Sequence, residues 1–344
     1  MSKSETIQEV DIEIFAAFGT IMSVLMIGGL AGNIICFRMT RRMLKNKPSL
    51  ALVLNLNMSD IIVACVSWVG FMFQHIAVYS GVKIHVVVHK IFWSVLVGLG
   101  NVTLFTLVGL AGDCFIALRW PLHYKGIATY KSINVYIAVI WACSVLTGSS
   151  DFLIAVSRSS DKDYSFTEVI RDTLVFAGSD QSVEQILTSS ITMLISNLLS
   201  FLCLVVMVFM YAYILIKIRH IHSNRTLSKQ GGFKSEIHAF RTTLMIFTSF
   251  LLLWLPTLVV NILSIAHPNF LSKLTFLEVS VIGHTADTLL LVHSIVDALI
   301  YGVRVKKTIH RQRKSRRNQA NFSRANTFRK VSSDSDRTPP EYQV

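Results

Sequence analysis

Seven long apolar segments constrain this chain more than any other feature. They are residues 14–37, 50–73, 91–118, 133–150, 186–216, 242–266 and 279–303. Each is long enough for an α-helix to cross the hydrocarbon core of a bilayer, which takes about 20 residues. Backbone inside the bilayer must satisfy its own polar groups, so segments of this length are helical. The sequence therefore predicts an all-α membrane protein, a bundle of seven transmembrane helices that we number span 1 to span 7.

The basic residues predict the orientation of the bundle. The segments after spans 1, 3, 5 and 7 hold 26 of the 33 Lys and Arg residues. Basic residues accumulate on the cytoplasmic side, so the N-terminus lies outside and the tail inside. The net charge of +13 thus belongs to the inner membrane surface and indicates no nucleic-acid partner. We expect an extracellular N-terminus (1–13), the bundle (14–303), a basic membrane-surface helix (304–318) and a disordered cytoplasmic tail (319–344).

Carboxylates inside the apolar spans indicate function. Asp60 lies about halfway along span 2, and Asp287 and Asp297 lie in span 7. An ionisable side chain at the centre of a membrane helix costs about 2.5–3.5 kcal/mol on insertion scales, so a functional role is the default expectation. Asn33 in span 1 is a further polar residue, and an ordinary interhelical hydrogen bond remains an alternative for it.

Spans 6 and 7 carry two short motifs. Span 6 reads Phe250-Leu-Leu-Leu-Trp254-Leu-Pro256, and Pro256 is the one proline inside any predicted span. Proline removes a helix hydrogen bond, so we expect a kink with a bulky Trp beside it. Span 7 reads Asp297-Ala-Leu-Ile-Tyr301.

Span 3 ends in a third motif, in the stretch AGDCFIALRWPLHY. Asp113 is followed by Cys114 and Phe115, and Pro121 stands eight residues after Asp113. Together with Asn33, Asp60, Trp141 and the span 6 and span 7 motifs, this pattern resembles the rhodopsin-like (class A) G-protein-coupled receptors. That family has Asp-Arg-Tyr here, so Cys114 replaces the arginine. The resemblance is nearest to the branch of melanocortin, cannabinoid and lysolipid receptors.

The resemblance implies an ion site and a set of switches. The implied sodium ligands are Asp60, Thr103, Ser294 and Asp297, and no other cofactor is expected. The implied activation switches are Asp113, Cys114, Phe115, Tyr211, Glu236, Phe250, Trp254, Pro256, Asp297 and Tyr301.

The central switch is altered at Cys114. In the family the arginine pairs with its neighbouring Asp and with a Glu at the inner end of span 6, which matches Glu236. A thiol forms no such ion pair, which favours basal activity. The arginine's contact with the G protein is lost as well, which favours a receptor that does not activate G proteins. A buried Cys acting merely as a small hydrophobe is the simpler interpretation.

The resemblance also narrows the classes of ligand that we expect. The implied pocket residues are Leu96, Trp254, His284 and Asp287. Receptors for biogenic amines have an Asp where Leu96 stands, so such a ligand is not expected. The chain has no lysine near Leu291, so retinal is not expected either. All five cysteines lie in or at the ends of spans, which excludes the outer disulfide that most of the family has.

The predicted tail suits cytoplasmic partners. Ser332, Ser333 and Ser335 form a phosphorylation patch, which implies arrestin, and the final Glu-Tyr-Gln-Val could bind a PDZ groove. The basic residues after span 7 are expected to contact anionic membrane lipids.

The function implied is a plasma-membrane receptor that transmits an extracellular signal (a small molecule, lipid or peptide) to heterotrimeric G proteins. It is not an enzyme. The leading alternative is a receptor-like protein that does not couple to G proteins and instead scavenges ligand or pairs with another receptor. A small transporter is a more distant alternative, since neither inverted repeats nor paired charges are visible.

Overall fold

The fold comes from a computed structural model of the full chain. It describes residues 3–44, 48–80, 84–157, 163–164, 183–223, 231–266, 278, 281–282, 285, 288–289, 291–303, 305–306 and 309. The predicted surface helix and tail, 304–344, lie outside these residues except at three positions, and so do Ser332, Ser333 and Ser335.

The described chain is almost entirely helical. Spans 1 to 6 are the helices Lys3–Met43, Leu50–Ser80, Val86–Arg119, Tyr130–Ser157, Val183–Ser223 and Gly231–Ala266. The continuous described part of span 7 is the shorter apolar helix Leu291–Val303. Within the described residues, six helices are thus long and apolar enough to cross a membrane, and this agrees with the predicted all-α bundle. The helices extend beyond the predicted spans because membrane helices can continue into water, where hydropathy no longer marks them.

Large apolar side chains cover the outside of the bundle. Phe209, Leu252 and Val24 are among the most exposed of them. A continuous apolar outer surface is unfavourable in water. In a membrane protein it is the surface that lipid tails contact. The inner side of the helices forms a core around Leu56, Leu104 and other buried side chains, to which all seven spans contribute.

Spans 3 and 4 approach each other closely at glycines. A Cβ atom added to Gly148 would lie 2.6 Å from the backbone oxygen of Ser94 and 2.8 Å from Cα of Gly98. One added to Gly98 would lie 3.1 Å from the backbone oxygen of Ser144. Small residues at such crossings let membrane helices pack backbone to backbone. Dispersion contacts then stabilise the helix pair, because lipid surroundings give no hydrophobic driving force for helix association.

A buried asparagine joins spans 2, 3 and 4. Asn55 Nδ2 donates to Thr106 Oγ1 at 2.8 Å, and Trp141 Nε1 donates to Asn55 Oδ1 at 2.8 Å. A further hydrogen bond joins span 3 directly to span 4, where Asn101 Nδ2 donates to Thr147 Oγ1 at 2.9 Å. Trp141 is therefore a hydrogen-bonding residue of the bundle as well as a packing residue.

We expect Asn55→Ala to lower the stability of the bundle by about 1–2 kcal/mol, because interhelical hydrogen bonds in membranes average about 0.6 kcal/mol and reach about 1.7. The substitution removes two of them and leaves the Trp141 N–H unsatisfied. Thermal unfolding of purified protein in detergent measures the loss. Thr106→Val preserves volume and removes one of the two bonds, so an equal or larger loss from it would contradict this account.

A short antiparallel strand pair connects two outer segments. Strand Ile84–His85 pairs with strand Asp163–Tyr164, with Ile84 opposite Tyr164 and His85 opposite Asp163. The first strand lies between spans 2 and 3, and the second lies between spans 4 and 5. All five cysteines of the chain fall among the described residues, and all five are free thiols.

Candidate functional site

The centre of the bundle holds a polar cluster that begins at Asn33. Its Nδ2 atom lies 2.9 Å from Ser294 Oγ and 3.2 Å from the Ser294 backbone oxygen, and it also donates to Gly29 O on its own span at 3.0 Å. Asn33 is fully buried. Spans 1 and 7 are therefore tied together at Ser294, one of the predicted ion ligands.

Two buried carboxylates and a histidine lie in the same cluster. Asp60 from span 2 and Asp297 from span 7 are both almost fully inaccessible to solvent. The negative charge of Asp60 acts on Asp297, so the two carboxylates repel each other when both are ionised. His293 Nε2 lies 3.6 Å from Asp297 Oδ1. The structure thus brings Asp60, Ser294 and Asp297 into one region, with His293 beside them.

The cluster contains more acceptors than donors. Among the described residues, Asn33 Oδ1, Asp60 Oδ2 and both carboxylate oxygens of Asp297 are buried without a hydrogen-bond partner. Buried oxygens of this kind carry a large desolvation cost unless a proton or cation compensates them. Carboxylate, amide and hydroxyl oxygens are ligands for a hard cation, so the donor set fits a sodium ion. No group of three or more His, Cys, Asp or Glu residues able to hold a metal occurs within the described part of the chain.

Thr103, the fourth predicted ion ligand, contacts Ser59, the residue that precedes Asp60 in span 2. Their hydroxyl oxygens are 3.3 Å apart, and Ser59 Oγ also donates to Leu56 O at 2.8 Å. Both residues are buried. Thr103 therefore has a partner within the protein, whereas the carboxylates of Asp60 and Asp297 retain unpaired oxygens.

Aromatic contacts connect span 6 to this polar cluster. The ring of Trp254 stacks on Phe250, with centroids 5.1 Å apart, and Phe250 meets the ring of His293 edge-on at 5.2 Å. The span 6 helix continues through Pro256 to Ala266. A movement of Trp254 therefore reaches Asp297 through three successive side-chain contacts.

Span 7 is a regular helix through its Asp297–Tyr301 motif. Ala298 is buried, and a Cβ added to Gly32 of span 1 would lie 3.1 Å from its Cβ. The described run 291–303 is helical throughout. Tyr301, the last residue of the motif, is buried in the main core cluster.

Asp113 is held by the segment that follows span 3. Tyr124 OH donates to Asp113 Oδ1 at 2.9 Å, and Tyr124 begins the short helix Tyr124–Ile127. Burial, then the negative charge of Asp113 and its hydrogen bond, raise the pKa of Tyr124 well above its usual value. Tyr124 thus stays a neutral donor to the carboxylate across the physiological range.

Cys114 contacts span 6. Its Sγ atom lies 3.6 Å from Thr243 Oγ1, and Tyr211 OH from span 5 donates to the Thr243 backbone oxygen at 3.1 Å. All three residues are buried. The sequence predicts that replacing the arginine removes a restraint between spans 3 and 6, but the structure has a neutral contact between these spans.

Phe115, the third residue of the span 3 motif, packs against aromatic neighbours. Its ring centroid lies 4.9 Å from that of Tyr213 in span 5 and 6.2 Å from that of Trp120. It therefore ties span 3 to span 5.

Comparison with known proteins agrees with this geometry. The sequence pattern of the 7 transmembrane receptor (rhodopsin family) matches residues 32–301, from the residue before Asn33 to Tyr301. The chain belongs to that family. The class of receptor predicted from the motifs is confirmed, and the family is one of signalling receptors rather than enzymes.

The receptor is also similar to individual curated proteins. It is 28% identical to mouse (Mus musculus) Adenosine receptor A2b and 26% identical to the rat (Rattus norvegicus) protein of that name, over 178 residues in each case. The alignments cover 48% of this chain and 51% of each relative, so the matched stretch spans about half of their length. The expected placement near the melanocortin, cannabinoid and lysolipid branch stays a prediction.

The structure describes some of the predicted site residues only in part and others not at all. Leu96 is half-buried on span 3. Glu236 belongs to the span 6 helix, but its side chain is outside the described part, and the pocket residues His284 and Asp287 lie outside the described residues altogether.

Sequence reasoning missed three residues of the receptor that the structure brings into the site. Thr243 contacts Cys114, Tyr124 binds Asp113, and Asn55 organises Trp141. The available signal for Asn55 was a polar residue in an apolar span. No sequence signal identifies Thr243, because its role depends on which face of span 6 meets span 3.

Proposed function

We propose that this receptor transmits an extracellular ligand signal across the plasma membrane to heterotrimeric G proteins. The observation that supports this most is the contact series Trp254–Phe250–His293–Asp297. It connects the proline-containing part of span 6 with the buried carboxylate of Asp297 in span 7. A receptor needs such a mechanical connection between the ligand side and the inner side.

The mechanism follows from that series. A ligand bound among spans 3, 5, 6 and 7 displaces Trp254, and Phe250 moves with it because the rings are stacked. His293 and Asp297 then rearrange, and the inner half of span 6 moves away from span 3. The ligand drives this change only to the extent that it binds the rearranged state more tightly than the resting state.

The predicted inner surface offers a place for a G protein. Leu122 is 92% exposed, and Trp120 and Ile127 beside it are also exposed apolar residues. They follow the end of span 3, next to the Asp113–Tyr124 contact. Apolar side chains grouped at a membrane-proximal surface are typical of a protein interface. We therefore assign this segment, residues 120–127, as part of the G-protein contact.

A sodium ion is the cation we assign to the polar core, as an allosteric ion and not a reacting group. Asp60 and Asp297 supply unpaired oxygens for it, and Asn33 supplies a third. Ser294 and Thr103 supply hydroxyl oxygens at the edge of the cluster. The ion's chemical contribution is positive charge that offsets the repulsion of the carboxylates in the resting state.

The ligand remains to be identified among small molecules, lipids and peptides. The two relatives are named adenosine receptors, which makes nucleosides the first class to screen. At the tail, arrestin binding to phosphorylated Ser332, Ser333 and Ser335 and PDZ binding at the last four residues complete the proposed set of partners.

One observation supports the leading alternative, a receptor-like protein that does not couple. Cys114 is buried against Thr243 and presents no charge to the inner surface, where the family has an arginine. On this alternative the protein scavenges ligand or acts as a partner of another receptor.

Nucleotide exchange on a panel of purified G proteins distinguishes the two functions. The receptor is reconstituted in lipid nanodiscs, alone and with a nucleoside panel, and compared with Leu122→Asp and Cys114→Arg. We expect exchange on at least one G protein, and we expect Leu122→Asp to reduce it about tenfold or more, as loss of a central interface residue does.

The control is Leu122→Ile, which keeps an apolar side chain in the proposed contact and should retain most of the exchange. Exchange by Cys114→Arg with silence from the native receptor under every condition would overturn the proposed coupling and favour the non-coupling alternative. Equal exchange by native and Leu122→Asp proteins would overturn the assignment of the 120–127 segment.

A further inference from the structure

Thr243 is the residue at which three helices meet near the predicted inner side. Span 3 reaches it through Cys114 Sγ, 3.6 Å from Thr243 Oγ1. Span 5 reaches it through Tyr211 OH, which donates to its backbone oxygen at 3.1 Å. These contacts bind the two functional groups of one residue, its hydroxyl and its carbonyl, to different helices.

The direction of the hydrogen bonds gives the thiol a defined role. Thr243 Oγ1 donates its proton to the Phe240 backbone oxygen at 2.9 Å, so the hydroxyl oxygen is left as an acceptor. Either atom of the Cys114–Thr243 contact could be the donor, and with the Thr243 proton directed at Phe240 O the Cys114 S–H donates. A thiol is a weak donor, but both side chains are buried, and a hydrogen bond gains strength where water does not compete.

Aromatic packing holds Tyr211 in position. Tyr211 stacks on Phe247 with ring centroids 4.6 Å apart and an interplanar angle of 19°, and its ring lies 6.0 Å from that of Phe240. Both phenylalanines belong to span 6, on either side of Thr243. Tyr211 is therefore fixed by span 6 at three points and has little freedom to release Thr243 alone.

We propose that Cys114, Thr243 and Tyr211 form a neutral latch that holds the inner halves of spans 3, 5 and 6 together in the resting receptor. The latch occupies the place of the charged restraint that Cys114 cannot make. Opening span 6 breaks the Cys114–Thr243 contact. Because the latch is neutral, salt does not weaken it as it weakens a surface ion pair. The signalling consequence rests on the proposed G-protein coupling, whereas the contact itself does not.

Disulfide cross-linking tests the contact without any G protein. Thr243→Cys places a second thiol opposite Cys114, and mild oxidation should join spans 3 and 6. A protease site inserted between residues 224 and 230 then cuts the chain, so that only a cross-linked protein migrates as one piece under denaturing, non-reducing conditions. Thr242→Cys, at the neighbouring buried position, is the matched control. Equal cross-linking of both variants, or none of Thr243→Cys, would overturn the latch.

A double-mutant cycle tests its effect on signalling. Cys114→Ala and Thr243→Val should each raise basal nucleotide exchange by about threefold to fivefold, in line with the loss of one neutral hydrogen bond. The double variant should exceed neither, because both changes remove one interaction. Cys114→Ser keeps a donor and should stay below Cys114→Ala. Thr248→Val, on the exposed face of span 6, should match the native protein.

The two experiments separate the two proposals. Cross-linking specific to Thr243→Cys, with exchange absent from every variant, supports the contact and contradicts the coupling. Additive single effects, or a Thr248→Val variant as active as Thr243→Val, would overturn the latch while leaving coupling intact.

Discussion

Gly148→Leu is expected to abolish the folded bundle, and Gly148→Ala to destabilise it by about 1–3 kcal/mol, the usual cost of overpacking a core. Even the first carbon of a side chain at this position would lie 2.6 Å from the Ser94 backbone oxygen and 2.9 Å from the Gly98 backbone nitrogen. Both neighbours are backbone atoms of span 3, which cannot rotate away as a side chain does. Spans 3 and 4 would have to separate along their contact.

Gly112→Ala on span 3 is the matched control, because nothing lies within 4 Å of a Cβ added there. Alanine favours helix over glycine by about 1 kcal/mol, so this variant should be as stable as the native protein or slightly more so. Fluorescence-detected size exclusion gives the yield of folded protein, and thermal unfolding gives the stability. A Gly148→Ala protein as stable as Gly112→Ala would contradict the close packing of spans 3 and 4.

Asp297→Asn is expected to stabilise the receptor in sodium-free buffer. Asp60 and Asp297 repel each other when both are ionised, and three of their four oxygens have no hydrogen-bond partner among the described residues. Asparagine removes one charge, keeps the volume and adds an amide donor to a region short of donors. The insertion cost of about 2.5–3.5 kcal/mol for an Asp at a helix centre is the upper limit of the gain.

The same variant should lose its response to sodium. Native protein binding sodium in this cluster gains thermal stability as sodium replaces choline at constant ionic strength, since a ligand of the folded state stabilises it. Asp60→Asn and Asp297→Asn should flatten that titration and begin from a higher melting temperature. Thr248→Val, remote from the cluster on the exposed face of span 6, should titrate like the native protein. A native receptor indifferent to sodium would contradict the proposed ion site.

The fold was predictable because a helix that crosses the bilayer must be apolar over about 20 residues, and such segments are visible in the sequence. Asp60 and Asp297 stand out in apolar spans, and both are buried in the structure; their role as ion ligands stays a prediction. The helix ends were less predictable: the helix of span 1 begins at Lys3, ahead of the apolar segment predicted from residue 14, because its polar first turns carry no hydropathy signal.

The contacts at the inner side could not be predicted, because each depends on helix rotation. The absence of an arginine at Cys114 is visible in the sequence, but its contact with Thr243 requires the register of span 3 against span 6. The same holds for the edge-on contact of Phe250 with His293. Tyr124 lies only eleven residues after Asp113, yet a turn after Pro121 must reverse the chain before they meet.

The outer strand pair, Ile84–His85 with Asp163–Tyr164, has a consequence for biogenesis. Most of the family fastens this part of the molecule with a covalent bond that forms only in an oxidising compartment. Here all five thiols are free, and among the described residues the two outer segments are joined by the backbone pairing of these strands. Maturation of this receptor therefore does not depend on forming a disulfide within the chain, and reducing surroundings leave the strand pair unchanged.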